Sequence, residues 1–153
     1  MFAPVIGVPR VVDGDSLVVN GQKIRLFGID AWEHGQYCLD TTRQLYPCGD
    51  MATAFLKGLI KTNPVHCQPL RHDRYHRLVS RCTLQGVDLG QVMVERGWAV
   101  AYTHYSKAYL PFEQSARAQR LGGWQGLPYY ESIPPEKWRA AKRARHSHSV
   151  YLP

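Results

Sequence analysis

Short stretches rich in β-branched residues alternate with turn signals over the first third of the chain. Residues 5–12, 16–19 and 22–29 have the composition of strands. The dipeptide Asn20-Gly21 separates the second stretch from the third. Because both residues tolerate a positive φ, this dipeptide predicts a tight hairpin with a type I′ turn.

Helical periodicity and further strand-like runs alternate over the rest of the chain. Apolar spacing, an Asp N-cap and terminating Gly residues predict helices over residues 50–61, 89–96 and about 110–121. Residues 65–70 and 78–84 have strand composition and flank a very basic connection. The pattern therefore predicts five strands, with helices following the third and the fifth.

Five strands with short connections and an initial hairpin favour a small closed barrel. We predict an α+β fold, a five-stranded OB-fold β-barrel with three α-helices, although periodicity by itself does not separate this from another α+β domain. A chain of 153 residues is typical of one domain. We assign residues 1–128 to that domain and residues 129–153 to a basic C-terminal tail.

The balance of charges favours an anionic partner. Lys and Arg number 19 against 12 Asp and Glu, which gives a formal net charge of +7. Such a surplus is typical of proteins that bind nucleic acid or an anionic membrane surface, although it also serves solubility alone. No apolar run reaches the length of a membrane span, so we expect no insertion into a membrane.

The cysteines are Cys38, Cys48, Cys67 and Cys82. No pair has C-x-x-C spacing, which argues against a zinc ribbon or a thioredoxin-like motif. The simplest pairing is Cys38–Cys48 with Cys67–Cys82, and the alternative is four reduced thiols packed in the core. If the disulfides form, the protein works in an oxidising, extracytoplasmic compartment (periplasmic or secreted), with any signal peptide outside this sequence.

Carboxylates and arginines that suit phosphate chemistry lie near the ends of the predicted strands. Asp15 and Asp30 close two segments that the hairpin would bring side by side, where they could share a hard cation such as Ca²⁺ or Mg²⁺. Arg25 precedes Asp30 on one strand, Glu33 follows it, and Arg77 adds a second guanidinium. A metal, a base and guanidinium groups are the components of phosphoester hydrolysis.

Five ordered stretches carry a resemblance to a known family. They are VVDGDSL (residues 11–17), RLFGIDAWE (25–33), DRYHRLV (73–79), VERGWAVAY (94–102) and ARAQRLGGW (116–124). The chain resembles the staphylococcal nuclease (thermonuclease) family. The resemblance implies an OB-fold barrel with three helices and Ca²⁺-dependent, sugar-nonspecific hydrolysis of DNA and RNA that leaves 3′-phosphate products.

The resemblance also implies roles for individual residues. Asp15, Asp30 and the backbone carbonyl of Ala31 would bind Ca²⁺, with Ala31 standing where the family usually has Thr. Glu33 would orient or deprotonate the attacking water, while two arginines hold the scissile phosphate. The catalytic residues on this interpretation are Arg25, Glu33 and Arg77.

The nucleotide-binding residues implied by the resemblance are Tyr75, Tyr102 and Arg74. Two nearby positions depart from the family pattern. Trp32 replaces the usual Pro before Glu33, where its ring would either stack on a base or misplace the glutamate. His76 replaces the usual Gly before the second arginine, at a turn that favours a positive φ.

The expected partners are single-stranded DNA and RNA. We expect the protein to be a monomer that does not associate with a membrane. The alternative function is a catalytically inactive nuclease-like module that binds nucleic acid or protein. Domains of that kind typically replace the acidic and arginine positions, whereas this chain retains them. We therefore expect a nuclease.

Overall fold

The structure is a computed structural model that describes residues 2–126 and 133–149. Its strands are β1 (Val5–Gly7), β2 (Arg10–Asp13), β3 (Ser16–Val19), β4 (Gln22–Leu26), β5 (Ile29–Ala31), β6 (Cys38–Leu39), β7 (Leu45–Tyr46), β8 (Val65–His72), β9 (Leu78–Leu84), β10 (Val87–Asp88) and β11 (Ala99–Ala101). Its helices are α1 (Cys48–Ile60), α2 (Leu89–Glu95), α3 (Leu110–Gln119) and α4 (Pro135–Ser149), with a 3₁₀ turn at Gly122–Trp124.

Seven of these strands form one mixed, curled sheet. Its hydrogen-bonded order is β1-β8-β9-β4-β3-β2, with β10 beside β9. Strands β4 and β9 run parallel, while the other neighbours in this sheet are antiparallel. Strands β5 and β11 form a separate antiparallel pair, as do β6 and β7. The predicted α+β OB-fold is confirmed in this architecture.

The predicted numbers of strands and helices need correction. Gly28 has a φ of +76° and divides the stretch 22–29 into β4 and β5. Pro9 lies between β1 and β2, where its missing N–H cannot join the ladder, so the stretch 5–12 is also divided. Helix α4 is a fourth helix, and it lies in the segment for which the pattern predicted only a basic tail.

The predicted hairpin between β3 and β4 is present. Asn20 and Gly21 have φ values of +50° and +77°, as a type I′ turn requires. The resulting register pairs Ser16 with Arg25. Arg25 is thereby placed beside the carboxylate of Asp15, next to Ser16 in the chain.

Helix α2 begins at the predicted cap. The side chain of Asp88 accepts hydrogen bonds from the backbone N–H of Gly90 and Gln91, at 2.9 and 3.3 Å. The hydroxyl of Tyr109 donates to the other Asp88 oxygen at 2.6 Å, which joins the start of α3 to α2. Burial, together with this bond to Asp88, raises the pKa of Tyr109.

The hydrophobic core lies between the curled sheet and the first two helices. The side chains at its centre are almost fully buried; they include Leu17, Val19, Ile24, Leu56 and Met93. Removing such side chains from water is the main favourable contribution to folding.

Two disulfides cross-link the fold with the predicted pairing. Cys67 and Cys82 are direct partners on β8 and β9. Cys38 in β6 is bonded to Cys48, the first residue of α1. The second of these bonds holds the loop after β5 against the helix that follows it.

We predict that denatured, unreduced protein contains no free thiol. Reduction should then lower the free energy of unfolding by about 3 kcal/mol for each bridge, because each crosslink restricts the unfolded chain. Thiol-reagent titration and denaturant unfolding, with and without reductant, measure the two effects. Four titratable thiols in the unreduced protein would contradict the pairing.

Candidate active site

An open pocket of about 690 Å³ lies where β2, β4 and β5 meet the β8–β9 connection. It brings together most of the residues that the sequence analysis singled out. The predicted site residues that line it are Asp15, Arg25, Asp30, Glu33, Arg74, Tyr75, Arg77 and Tyr102. Ala31 and Trp32 do not line it.

A hydrogen bond to the backbone of β5 brings the two central aspartates, Asp15 and Asp30, close together. Asp15 lies in the turn between β2 and β3, and its Oδ2 accepts a 2.8 Å hydrogen bond from the N–H of Ala31. Asp30 is the residue before Ala31, and its exposed fraction is 1%. This hydrogen bond between a turn residue and the backbone of β5 therefore places two buried carboxylates at one end of the pocket.

Arg25 lies between these two carboxylates. Its Nη1 is 3.4 Å from Oδ2 of Asp15, and its Nη2 is 3.7 Å from Oδ1 of Asp30. Nη1 also donates a 3.1 Å hydrogen bond to the carbonyl of Leu26. The arginine side chain is 13% exposed, so its guanidinium is held in place at the wall of the pocket.

Burial and mutual repulsion disturb the titration of the aspartates. Burial raises the pKa of Asp13 to about 7, and the neighbouring charge of Asp15 adds to this increase. Burial opposes ionisation of Asp15 as well, but Arg25 and hydrogen bonds from neighbouring groups hold its pKa below the usual range. Burial raises the pKa of Asp30, even though bonds from Arg139 act in the opposite direction. Such a group of carboxylates favours a bound cation.

Glu33 is fixed through its backbone while its side chain reaches the pocket. Its N–H donates to Oε1 of Gln36 at 2.9 Å, and Gln36 is 1% exposed. The carbonyl of Gln36 accepts a 3.2 Å bond from the N–H of Gly49 in α1. The Glu33 side chain is 30% exposed, so it is accessible to water and to substrate.

Asp73 organises the connection between β8 and β9. Its Oδ1 accepts hydrogen bonds from the N–H of Tyr75 and Arg77, at 2.9 and 3.0 Å. Its Oδ2 accepts a 2.7 Å bond from Nε of Arg77. Partial burial works against the ionised form, but these bonds, led by those from Arg77, lower the pKa of Asp73. The carboxylate thereby aims the Arg77 guanidinium at the pocket.

His76 adopts the backbone conformation that its turn requires. Its φ is +63°, in the left-handed region that glycine enters at lower cost. The departure from glycine at this position therefore leaves the turn in place, and Arg77 still reaches the pocket.

Exposed aromatic rings and arginines form the outer part of the pocket. Tyr75 is 59% exposed, and the guanidinium of Arg74 lies 4.9 Å from the centre of its ring. Tyr102 packs edge-on against Tyr105. The guanidinium of Arg71 lies 4.5 Å from the centre of the Tyr105 ring. Exposed rings and guanidinium planes of this kind are suitable surfaces for stacking a base.

Trp32 lies in the core rather than beside the pocket, so its ring does not stack on a base. Its exposed fraction is 1%, and its Nε1 donates a 2.8 Å hydrogen bond to the carbonyl of Gly97. Its ring packs edge-on against Trp124 in the core. The indole is too large and apolar to remain in water when a core position is available, so it anchors the loop before Glu33 rather than stacking on a base.

Several further residues of the pocket were not among the predicted site residues. Asp13, Arg71, Tyr105, Arg139 and Arg143 also line the pocket. Asp13 lies two residues from Asp15 and could have been found from that motif. Arg139 carries no such signal, because helix α4 is remote in sequence from the residues that it contacts.

Arg139 forms ion pairs with two of the acidic residues in the pocket. Its Nη1 and Nη2 donate to Oδ1 and Oδ2 of Asp30, at 2.9 and 2.8 Å, and Nη1 also donates to Glu33. Hydrogen bonding to Asp30 raises the pKa of Arg139 further above its already high value. A paired, two-pronged contact of this kind is the tightest that a guanidinium makes with a carboxylate.

The carboxylates provide suitable chemistry for a hard divalent cation, although they are not arranged as a complete cage. Over residues 2–126 and 133–149, no three His, Cys, Asp or Glu side chains group closely enough to hold a metal ion. Asp15 and Asp30 provide oxygen donors, and Ca²⁺ commonly completes its coordination with backbone carbonyls and water. The guanidinium on Asp30 shows that a cation is accepted at this position.

The sequence is similar to a known protein family and to several of its members. The family described as Staphylococcal nuclease homologue matches residues 23–126. The succinoglycan biosynthesis protein ExoI of Rhizobium meliloti (strain 1021) is 34% identical over 128 residues, which cover 82% of this chain and 67% of that protein. The micrococcal nuclease of Shigella flexneri is 31% identical over 153 residues, with coverage of 89% and 80%.

A fungal relative is matched over a smaller part of its length. The probable endonuclease LCL3 of Schizophyllum commune (strain H4-8 / FGSC 9210) is 29% identical over 119 residues, which cover 66% of this chain but 39% of that protein. The family match, in contrast, extends over more than half of the present chain and includes Arg25, Asp30, Glu33 and Arg77. The chain therefore belongs to the staphylococcal nuclease family.

Proposed function

We propose that the protein is a Ca²⁺-dependent endonuclease that hydrolyses phosphodiester bonds in single-stranded DNA and RNA and leaves 3′-phosphate products. The observation that supports this most directly is the convergence of five side chains on one pocket: Asp15, Arg25, Asp30, Glu33 and Arg77. The names of two relatives, a micrococcal nuclease and a probable endonuclease, point to the same chemistry.

In this proposal Asp15, Asp30 and the backbone carbonyl of Ala31 hold the cation. When bound, Ca²⁺ supplies a Lewis acid for a phosphate oxygen and a template for the substrate. The two carboxylates provide the negative charge that makes this position attractive to a divalent ion. Arg25, which forms an ion pair with each of them, offsets their mutual repulsion and orients them.

Glu33 acts as the general base. It accepts a proton from a water molecule whose oxygen attacks phosphorus, and the bond from phosphorus to the 5′-oxygen breaks. The 5′-oxygen leaves with a proton from solvent, so that the products are a 3′-phosphate and a 5′-hydroxyl. Arg25 and Arg77 bind the phosphate oxygens and stabilise the charge that develops in the five-coordinate transition state.

The outer pocket supports binding of flexible, single-stranded nucleic acid. Tyr75 and Tyr102 provide stacking surfaces, and Arg74 binds backbone phosphate. Stacking tolerates every base, so the enzyme cleaves without sequence preference. The net charge of +7 adds a general attraction for the polyanion.

The remaining parts of the proposal concern the protein as a whole. Two disulfides are typical of an oxidising compartment, which supports a periplasmic or secreted protein. We propose that it acts as a monomer. Residues 1–128 form the nuclease domain and residues 129–153 the basic C-terminal segment. Among the described helices, none combines the length and the apolar character needed to cross a bilayer.

We expect cleavage of heat-denatured DNA in excess Ca²⁺ and none after addition of a chelator. The measurement is gel analysis of the products, together with an end-labelling assay that separates 5′-hydroxyl from 5′-phosphate ends. Restoring Ca²⁺ to the chelated sample should restore cleavage, which controls for damage to the protein. Cleavage that ignores the chelator would contradict the proposed metal. Binding without cleavage at any divalent ion would favour the inactive binding module.

A further inference from the structure

Helix α4 places a cation of the protein's own on the proposed metal ligand and on the proposed base. The guanidinium of Arg139 binds both carboxylate oxygens of Asp30 and one oxygen of Glu33. The Asp30 end of this ion pair is buried, while the Arg139 and Glu33 side chains are 29% and 30% exposed. One side chain of α4 thus engages two residues that the proposed reaction needs free.

Three separate contacts dock α4 at this position. Nε2 of Gln36 donates a 2.6 Å hydrogen bond to the carbonyl of Ile133, just before the helix begins. Glu136 accepts bonds from Nε2 of His104 at 3.0 and 3.1 Å. Arg139 is one turn further along, on the same face as Glu136. The docking therefore uses residues from three different parts of the nuclease domain.

Gln36 links this docking directly to the catalytic loop. Its Oε1 accepts a bond from the N–H of Glu33, while its Nε2 binds Ile133 at the start of the α4 segment. The Gln36 amide that makes both bonds is itself almost fully buried. The position of α4 and the position of the base are thus set by the same buried amide.

Arg139 binds both oxygens of Asp30, so it competes with a divalent ion for them, both by occupying the oxygens and by repulsion between the two cations. Arg139 offers one positive charge, fixed to the chain, whereas Ca²⁺ brings two and must come from solution. Only molecules in which Arg139 has released Asp30 can bind Ca²⁺ fully. The apparent affinity for Ca²⁺ is therefore the intrinsic affinity multiplied by the fraction of such molecules.

We propose that α4 is an autoinhibitory segment, in which Arg139 competes with the divalent cation for Asp30 and blocks Glu33. The inference rests on the proposed function, since it assumes that Asp30 is a cation ligand. Cation binding displaces Arg139, and the helix then leaves the pocket open to nucleic acid. The nuclease consequently needs a higher Ca²⁺ concentration for half-maximal activity than it would need without Arg139.

Isothermal titration calorimetry with CaCl₂ tests this competition directly, without reference to catalysis. We expect Arg139→Ala to bind Ca²⁺ about tenfold more tightly than the wild type or better, because the competitor is gone. Arg145→Ala is the matched control: it removes the same charge from an exposed position of the same helix, outside the pocket. Its affinity should equal that of the wild type.

Each other outcome has a definite meaning. Equal or weaker Ca²⁺ binding by Arg139→Ala, with wild-type binding intact, would overturn the autoinhibition and leave the proposed nuclease standing. No Ca²⁺ binding by any variant would overturn the proposed function and the inference with it. If Arg139→Ala does not fold, Glu136→Gln provides the test. This variant weakens the contact of α4 with His104 and leaves Asp30 unchanged. It should tighten Ca²⁺ binding by a smaller factor than Arg139→Ala.

Discussion

Replacing Glu33 by glutamine is expected to lower the rate of cleavage of denatured DNA by about 10²–10⁴-fold, the usual contribution of a general base. Glutamine keeps the size of the side chain but cannot accept a proton from water. The Glu33 side chain is 30% exposed and its backbone bond to Gln36 does not depend on the carboxylate, so the variant should fold normally. Binding of a noncleavable oligonucleotide should change little.

Glu95→Gln provides the matched control for this loss. Glu95 is the last residue of α2, is exposed, and does not line the pocket. It should retain full activity. Initial rates at saturating Ca²⁺ are the measurement to use, since Glu33→Gln also removes one partner of Arg139. A loss smaller than about tenfold would show that Glu33 is not the base.

Gly49→Ala is expected to destabilise the fold by about 3 kcal/mol or more, as an overpacked site with no room to relax does. A methyl group on Gly49 would overlap the backbone carbonyl of Glu33. The obstacle is backbone rather than a flexible side chain, and the neighbouring loop is held by Gln36 and by the Cys38–Cys48 disulfide. The helix and the loop must therefore separate.

Gly58→Ala is the control within the same helix. A methyl group at Gly58 has no atom within 4 Å, and the residue does not have a positive φ. Alanine there should raise stability by up to about 1 kcal/mol through its better helix propensity. Urea unfolding of both variants gives the comparison. Equal stabilities for the two would contradict the tight contact between α1 and the Glu33 loop.

Local sequence signals predicted the features that depend on neighbouring residues. Asn20-Gly21 forms the expected hairpin because the positive φ values of a type I′ turn are set by the two residues themselves. Asp88 caps α2 because its side chain reaches only the next turn of backbone. The pairing of the cysteines also follows the simplest sequence order.

The place of Trp32 could not be obtained in this way. Next to Glu33 in the chain, the residue suggested a ring beside the substrate. Its surroundings are Gly97 and Trp124, far along the sequence, and these provide a hydrogen bond and an apolar contact in the core. Burial of a large aromatic side chain depends on which distant elements cover it, which local pattern does not record.

The position of helix α4 could not be predicted from local sequence patterns either. Its residues have high helix propensity and a basic composition, which by themselves suggest an exposed segment. The contacts of Arg139 with Asp30 and Glu33 join positions 109 and 106 residues apart. Only the folded chain brings these groups together.

The sequence by itself determined the chemistry available to this protein: the carboxylates, the arginines and the family to which their order belongs. The tertiary structure decided which of these groups lie together, how far each is buried and which partners each one has. The reason is physical, because residue type sets the charge and the hydrogen-bonding groups of a side chain. Its pKa, accessibility and partners come from the segments that fold around it, as Asp30 shows between Arg25 and Arg139.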